Sequence, residues 1–362
     1  MKVKSIGFRN FRNLNESVVS TDAKVIVVEG RNGVGKTSFL ECVYSSLLLS
    51  SFRTSRLSDA IRHDAPYCQM RCSVNKNGSQ YEVFAYCDRD RKTIKVNDES
   101  ITGYGKLFSL FSAAVMSYDD KKIISSGPEE RRRYVNQLSC FIDAGLADAI
   151  RSYSAILRER NKAVKEKRAD VLDALDEKIA SIGFRIVDER RKLIPFLEEY
   201  VNGICRNVFS IPGKLGIELK SNCDVVDAME YDRLLKYSRP KDDVLACTSI
   251  GPHRDDLIFR YEGRLVRDEF STGQIRLLSI MLKLALIDMI SDMAGYSPIV
   301  LVDDVLLELD EEKKHLVFQY LLKYRQVFYT FLPQESFYRD YCDDMLVYEI
   351  KDGRIGGDEN GR

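Results

Sequence analysis

Residues 30 to 37 read Gly30-Arg31-Asn32-Gly33-Val34-Gly35-Lys36-Thr37, a complete G-x-x-x-x-G-K-T loop. The flanks constrain the fold as strongly as the loop does. Lys24-Val-Ile-Val-Val28 is a short apolar run rich in β-branched residues and predicts a buried strand. Thr37 to Leu49 carries Phe39, Leu40, Val43, Leu47 and Leu48 at helical spacing. Strand, glycine-rich loop and helix together form a cradle for phosphate. The glycines let backbone N–H groups approach the anion, and the helix aims its positive end at it. Lys36 is expected to reach the β- and γ-phosphates, Thr37 to hold Mg²⁺, and Ser38 to complete the loop. The predicted ligand is a nucleoside triphosphate, with ATP and Mg²⁺ the expected pair.

Such a loop needs an acidic partner on a neighbouring strand. Pro298-Ile-Val-Leu-Val302 predicts an apolar strand and ends in Asp303-Asp304. Asp303 is the candidate for holding the metal through its water shell, and Asp304 the candidate for orienting the attacking water. A solvated acidic turn is the plain alternative. Upstream, Ser271-Thr272-Gly273-Gln274 opens a helix over 275–290 whose apolar stripe includes Ile275, Leu278, Met281, Leu282, Ala285 and Ile287. Alone, this is an N-cap with Ser271 or Thr272 capping. Ahead of the Asp303 strand it reads as an ABC-type signature, with Ser271 and Gly273 closing over the γ-phosphate of a second subunit. An ATP-dependent homodimer is therefore expected.

With these motifs in this order the chain resembles the RecF family, the recombination-repair ATPases related to SMC proteins. Phe8-Arg-Asn-Phe-Arg-Asn13 resembles the family's opening strand, and Ser51-Phe-Arg-Thr-Ser55 its S-F-R-T segment. Gly127-Pro-Glu-Glu-Arg-Arg-Arg133, Gly251-Pro-His-Arg-Asp-Asp-Leu257 and Asp303-Asp-Val-Leu-Leu-Glu-Leu-Asp310 resemble three further family stretches. The chain departs at Leu307, where the family carries Ser, at Thr330-Phe-Leu332, where relatives are richer in threonine, and at Tyr118-Asp-Asp120, where the family has P-E-D. The resemblance implies binding of double-stranded and gapped DNA, loading of RecA with RecR and RecO, and roles in replication, recombination and the SOS response to DNA damage. Two other readings stay open: a different SMC-like ATPase acting as a DNA clamp, and an ABC-type ATPase unconnected with DNA, such as a transporter subunit. A nuclease-coupled ATPase would need carboxylate clusters beyond Asp303-Asp304, and none is visible.

At 362 residues the chain has length for two or three cores. No run of 18 apolar residues and no signal peptide are present, so a cytoplasmic protein without membrane association is expected. Nine cysteines without a C-x-x-C pair read as buried free thiols. Net charge is zero, so a nucleic-acid role must rest on local basic clusters. These are Arg131-Arg132-Arg133, the candidate DNA contact, Arg158 to Arg168, and Arg185 to Lys192. For each, a solvated helix face is the plain alternative. Arg53 has two candidate partners, the γ-phosphate or DNA, against a simple surface arginine. Arg12 is a further phosphate candidate.

The expected fold is α/β: an ABC-type ATPase head built from residues 1–124 and 246–362, with antiparallel strands over 68–98, and a helical arm over 125–245. Ile150, Tyr153, Leu157 and Val164, with a gap at Arg160, and then Ile179 to Tyr200 predict an antiparallel helix pair joined near 167–176. Pro195 is expected to end or kink its second helix. Asp304 is one methylene shorter than the Glu many ABC ATPases carry, which predicts slow hydrolysis.

Overall fold

The computed structural model describes residues 1–357, apart from the side chain at position 308. One side chain of the Asp303–Asp310 stretch thus lies outside the described residues. Packing divides the chain into two units, residues 1–120 with 286–362, and residues 121–285.

The first unit holds a six-stranded sheet in the order 354–357, 345–351, 25–29, 326–331, 299–303 and 113–117. All neighbours run parallel except the terminal hairpin. Val25–Glu29, Gln326–Phe331 and Ile299–Asp303 are buried at nearly every residue. Parallel strands covered on both faces read as continuous apolar runs, which is why these strands stand out in the sequence. A second six-stranded sheet, antiparallel throughout, contains the expected 68–98 set as Tyr67–Lys76, Ser79–Asp88, Lys92–Val96 and Glu99–Ser100. Its alternating pattern turns Cys68, Met70, Cys72 and Val74 inward. The Gln326 amide joins the two sheets: its Oε1 accepts the Val3 N–H at 2.7 Å, and its Nε2 donates to Val3, Thr21 and Ala23 carbonyls at 2.9, 2.6 and 3.1 Å.

The phosphate-loop helix, Lys36–Leu48, is buried at every position but Thr37. It packs against strands of both sheets. A helix apolar on most sides needs such a place.

The second unit is helical around a three-stranded antiparallel sheet made of Leu215–Lys220, Asp256–Tyr261 and Arg264–Leu265. Its long helices are Pro128–Ile142, Gly145–Lys165, Ala169–Asn207 and Ala228–Leu245. The expected helix pair is Gly145–Lys165 with Ala169–Asn207, joined at 166–168 rather than 167–176. The second helix does not end at Pro195. Leu193, Ile194, Leu197 and Val201 are buried on both sides of the proline, so packing offsets its missing N–H. Arg160 fills the gap in the heptads as a fully buried residue. It pairs with Asp176 at 2.5 Å and Asp242 at 2.7 Å, and Arg239 joins Asp176 at 2.7 Å.

Residues 246–285, expected in the head, pack with the helical unit. The Gly251–Leu257 segment explains why. Asp255 accepts from Arg190 at 2.6 Å and Ser221 at 2.6 Å, and Asp256 receives Arg131. His253 Nε2 sits 3.0 Å from the Thr248 carbonyl, which only accepts, so Nε2 carries the proton and Nδ1 accepts from the Tyr153 hydroxyl at 2.7 Å. Burial lowers His253 to about 4 and keeps the ring neutral. Gly251 lies at φ 131°, and a Cβ there would meet the Tyr231 hydroxyl at 2.0 Å.

Candidate nucleotide-binding site

The phosphate loop opens a cleft of about 1120 Å³ in the first unit. Asn32, Gly33, Gly35, Lys36, Thr37, Ser38 and Asp304 line it, with Arg12, Asn13 and Arg53 at its side. Gly30, Arg31 and Val34 complete the loop outside that lining, with Arg31 exposed. Gly35 lies at φ 124°, a conformation other residues rarely adopt. Gly30 allows close packing: a Cβ there would meet the Ile350 carbonyl at 2.9 Å. No side chain caps the helix at Gly35, and its first turn carries no acid. The first-turn N–H groups therefore remain available to an anion.

Lys36 is 4 % exposed, and its Nζ donates to the Gly30 carbonyl at 2.9 Å and stands 3.8 Å from Asp304 Oδ2. The Thr37 hydroxyl donates to Asp303 Oδ1 at 2.9 Å. Residues separated by most of the chain thus converge, because the Asp303 strand lies one strand away from the phosphate-loop strand in the parallel sheet. Thr330, at the end of the strand between them, stands 3.1 Å from Asp303 Oδ1 and 2.9 Å from Asp304 Oδ1. Burial raises the Asp303 carboxyl to about 6. The adjacent Asp304 charge adds to the rise, while hydrogen bonds from Thr37 and Thr330 and the charge of Arg53 oppose it. A hydroxyl and a carboxylate are hard oxygen donors of the kind Mg²⁺ takes, so the pair fits that ion.

Arg12 and Arg53, singled out separately in the sequence, share one partner. Glu41 is fully buried on the phosphate-loop helix and accepts Arg12 Nε and Nη2 at 2.9 and 2.8 Å, the Ser51 hydroxyl at 2.6 Å and Arg53 Nη1 at 3.3 Å. Sequence reasoning missed Glu41. Its signal was a lone carboxylate in a helix that is otherwise uncharged past Lys36. It also missed Asn13, which accepts from the Ser38 hydroxyl at 3.0 Å and donates to the Gly33 carbonyl at 3.3 Å. The departures from the family pattern gather here: Tyr118, Leu307 and Leu332 line the cleft.

In the second unit, Ser271-Thr272-Gly273-Gln274 stands exposed at the start of helix Thr272–Ala294. Ser271, not Thr272, caps: the Gln274 N–H donates to Ser271 Oγ at 3.3 Å, and the Ser271 N–H to Gln274 Oε1 at 2.9 Å, a reciprocal capping box. A Cβ on Gly273 would meet nothing within 4 Å.

The DNA-contact expectation for Arg131, Arg132 and Arg133 needs correction at Arg131. Arg131 is buried and holds Asp256 through two bonds, at 2.6 and 3.1 Å, plus the Ser126 carbonyl at 2.7 Å. Arg132 is half-buried on the Asp255 carbonyl at 2.7 Å. Only Arg133 of the three is exposed. On the arm, Arg158, Lys162, Lys165, Lys167 and Arg168 are exposed.

A parallel sheet with its phosphate loop and strand-end acid pair has the form of a P-loop ATPase of the SMC-related class. Residues 2–349 match the family model described as the RecF/RecN/SMC N terminal domain, and the chain belongs to the RecF family. Among its relatives, the DNA replication and repair protein RecF of Treponema pallidum is 31% identical over 348 residues, covering 95% of this chain and 98% of that one. RecF of Agathobacter rectalis is 29% identical, covering 98% and 99%. A solved structure described as the recombination mediator protein RecF with ATP in the RecFOR pathway matches with TM-score 0.89 at 26% identity, covering 98% of this chain and 97% of that chain. An Smc head bound to a winged-helix domain of ScpA matches in fold, with TM-score 0.58 at 15% identity. No helix among the described residues is long and apolar enough to cross a membrane.

Proposed function

We propose that this protein is a DNA-repair ATPase in which ATP drives homodimerisation on duplex DNA near single-strand gaps. The observation that carries the ATPase reading is that Lys36, Thr37 and Asp304 line one cleft, with Asp303 and Thr330 bonded directly behind them. Lys36 meets the β- and γ-phosphates; Thr37 and Asp303 would hold Mg²⁺, which would supply further positive charge against the phosphates. Asp304 orients water for in-line attack on the γ-phosphoryl, with Ser271 and Gly273 of a second subunit closing over it. Hydrolysis is slow and stimulated by DNA. It reopens the dimer.

The DNA face is assigned to the exposed basic residues of the arm, Arg158 to Arg168, rather than to Arg131 and Arg132. Kinship with the RecFOR mediator supports RecR and RecO as partners and loading of RecA in the cytoplasm as the outcome. The test is a titration of gapped and plain duplex with and without ATP. The proposal expects tighter binding of gapped duplex only with ATP, and equal binding in all four arms would refute it.

A further inference from the structure

Asp304 follows the strand Ile299–Asp303 in the left-handed region, φ 52°, ψ 4°, which few residue types other than glycine, asparagine and aspartate adopt readily. The Asp304 N–H donates to Thr330 Oγ1 at 2.8 Å, and Thr330 Oγ1 lies 2.9 Å from Asp304 Oδ1. One hydroxyl therefore grips both the backbone and the side chain of the same residue. A hydroxyl has one proton to give. Asp304 Oδ1, at 2.9 Å, is the nearer acceptor for it, and Asp303 Oδ1, at 3.1 Å, is shared with the Thr37 hydroxyl.

Thr330 is placed for this by the sheet. The strands pair Val302 with Tyr329, which brings the next residues, Asp303 and Thr330, side by side at the strand ends. Thr330 is 2 % exposed, so its hydroxyl faces these carboxylates and not bulk water. Asp304, in contrast, opens onto the cleft.

We propose that Thr330 is the positioning residue of the water-orienting carboxylate. It occupies Asp304 Oδ1 and fixes the backbone, which reserves Oδ2 for the cleft. Oδ2 faces Lys36 Nζ at 3.8 Å. When phosphate engages the lysine, the same oxygen is free to take a proton of the attacking water. Thr330 never touches nucleotide. The role proposed for it is exerted through Asp304, and so the inference rests on the reading of Asp304 given above.

The test compares Thr330→Val, nearly isosteric without the hydroxyl, with Thr330→Ser, which keeps it. Basal phosphate release and nucleotide affinity by calorimetry are measured for both, and for Asp304→Asn. Loss of one bond to a charged group should lower kcat at least about tenfold in Thr330→Val, with ATP affinity within about twofold of wild type. Thr330→Ser should recover most of kcat. Adding Thr330→Val to Asp304→Asn should cause no further loss, since the two act as one unit. A Thr330→Val enzyme with wild-type kcat would overturn the inference, as would equal impairment in the serine variant or a fall in affinity matching the fall in kcat. If Asp304→Asn itself turns over normally, the reading of Asp304 fails first, and the two failures are told apart.

Discussion

Arg131→Ala should destabilise the helical unit severely without acting on DNA directly. Arg131 is 6 % exposed, and removing its guanidinium leaves Asp256 and the Ser126 carbonyl without their main partner. Asp256 keeps one bond, from the Leu257 N–H at 2.8 Å, and its side chain is 19% exposed, so water offsets part of the loss. Breaking a buried pair from one side costs about 3–5 kcal/mol, and the partial exposure of Asp256 puts this case near the lower end, about 3 kcal/mol. With a urea slope of about 2 kcal/mol/M, the unfolding midpoint should fall by about 1.5 M. The chain contains no tryptophan, so helix circular dichroism is the appropriate signal. Arg131→Met combined with Asp256→Leu should recover much of the loss, because no charge is then stranded. Arg158→Ala, on the exposed arm face, should leave the midpoint unmoved. A stable Arg131→Ala protein with weakened DNA binding would refute the structural role and restore the residue to a DNA interface.

Two further outcomes follow from the charges. Burial raises the Asp303 carboxyl to about 6, above the ordinary 3.8, so between those values the folded state holds a proton the unfolded chain has already released. Its contribution to stability is therefore present at low pH and declines as pH rises through about 4 to 6, flat above. Mg²⁺ needs the ionised form, so affinity for Mg²⁺-nucleotide should fall as pH drops below about 6, by up to about tenfold per unit, and Asp303→Asn should remove the dependence. Calorimetry from about pH 5 to 7.5 reads both. For DNA, reversing Arg158 and Lys165 to glutamate should flatten the log affinity against log salt slope by about two. An unchanged slope would exclude this face.

The nucleotide site was largely legible in the sequence because its chemistry is local. The phosphate loop lies within eight consecutive residues, and the Asp303-Asp304 pair closes an apolar run of the kind a doubly covered parallel strand needs. What escaped was the fate of individual charges. A basic run such as Arg131–Arg133 looks alike whether it faces water or a distant carboxylate, and Asp256 lies 125 positions away. Arg160 marked a gap in the heptads, yet its acids come from two other helices. Glu41 sat unnoticed because Arg12 and Arg53 reach it only once the strand ending at Arg9 and the loop after the helix fold back over it. The head boundary moved for the same reason: Asp255 and Asp256 tie 246–285 to the helices by contacts that no local pattern announces.

The central claim is that ATP joins two copies through the exposed Ser271–Gln274 turn. Sedimentation of the wild-type protein with a slowly hydrolysed ATP analogue tests it most directly. A nucleotide touched by both subunits binds the dimer better than the monomer and shifts the equilibrium by mass action. The account predicts a monomer without nucleotide and a doubled mass with it. Ser271→Arg should stay monomeric in both conditions while its nucleotide affinity holds, because Lys36 and Thr37 are untouched. A wild-type mass indifferent to ATP, or a Ser271→Arg protein that dimerises normally with it, would contradict the account.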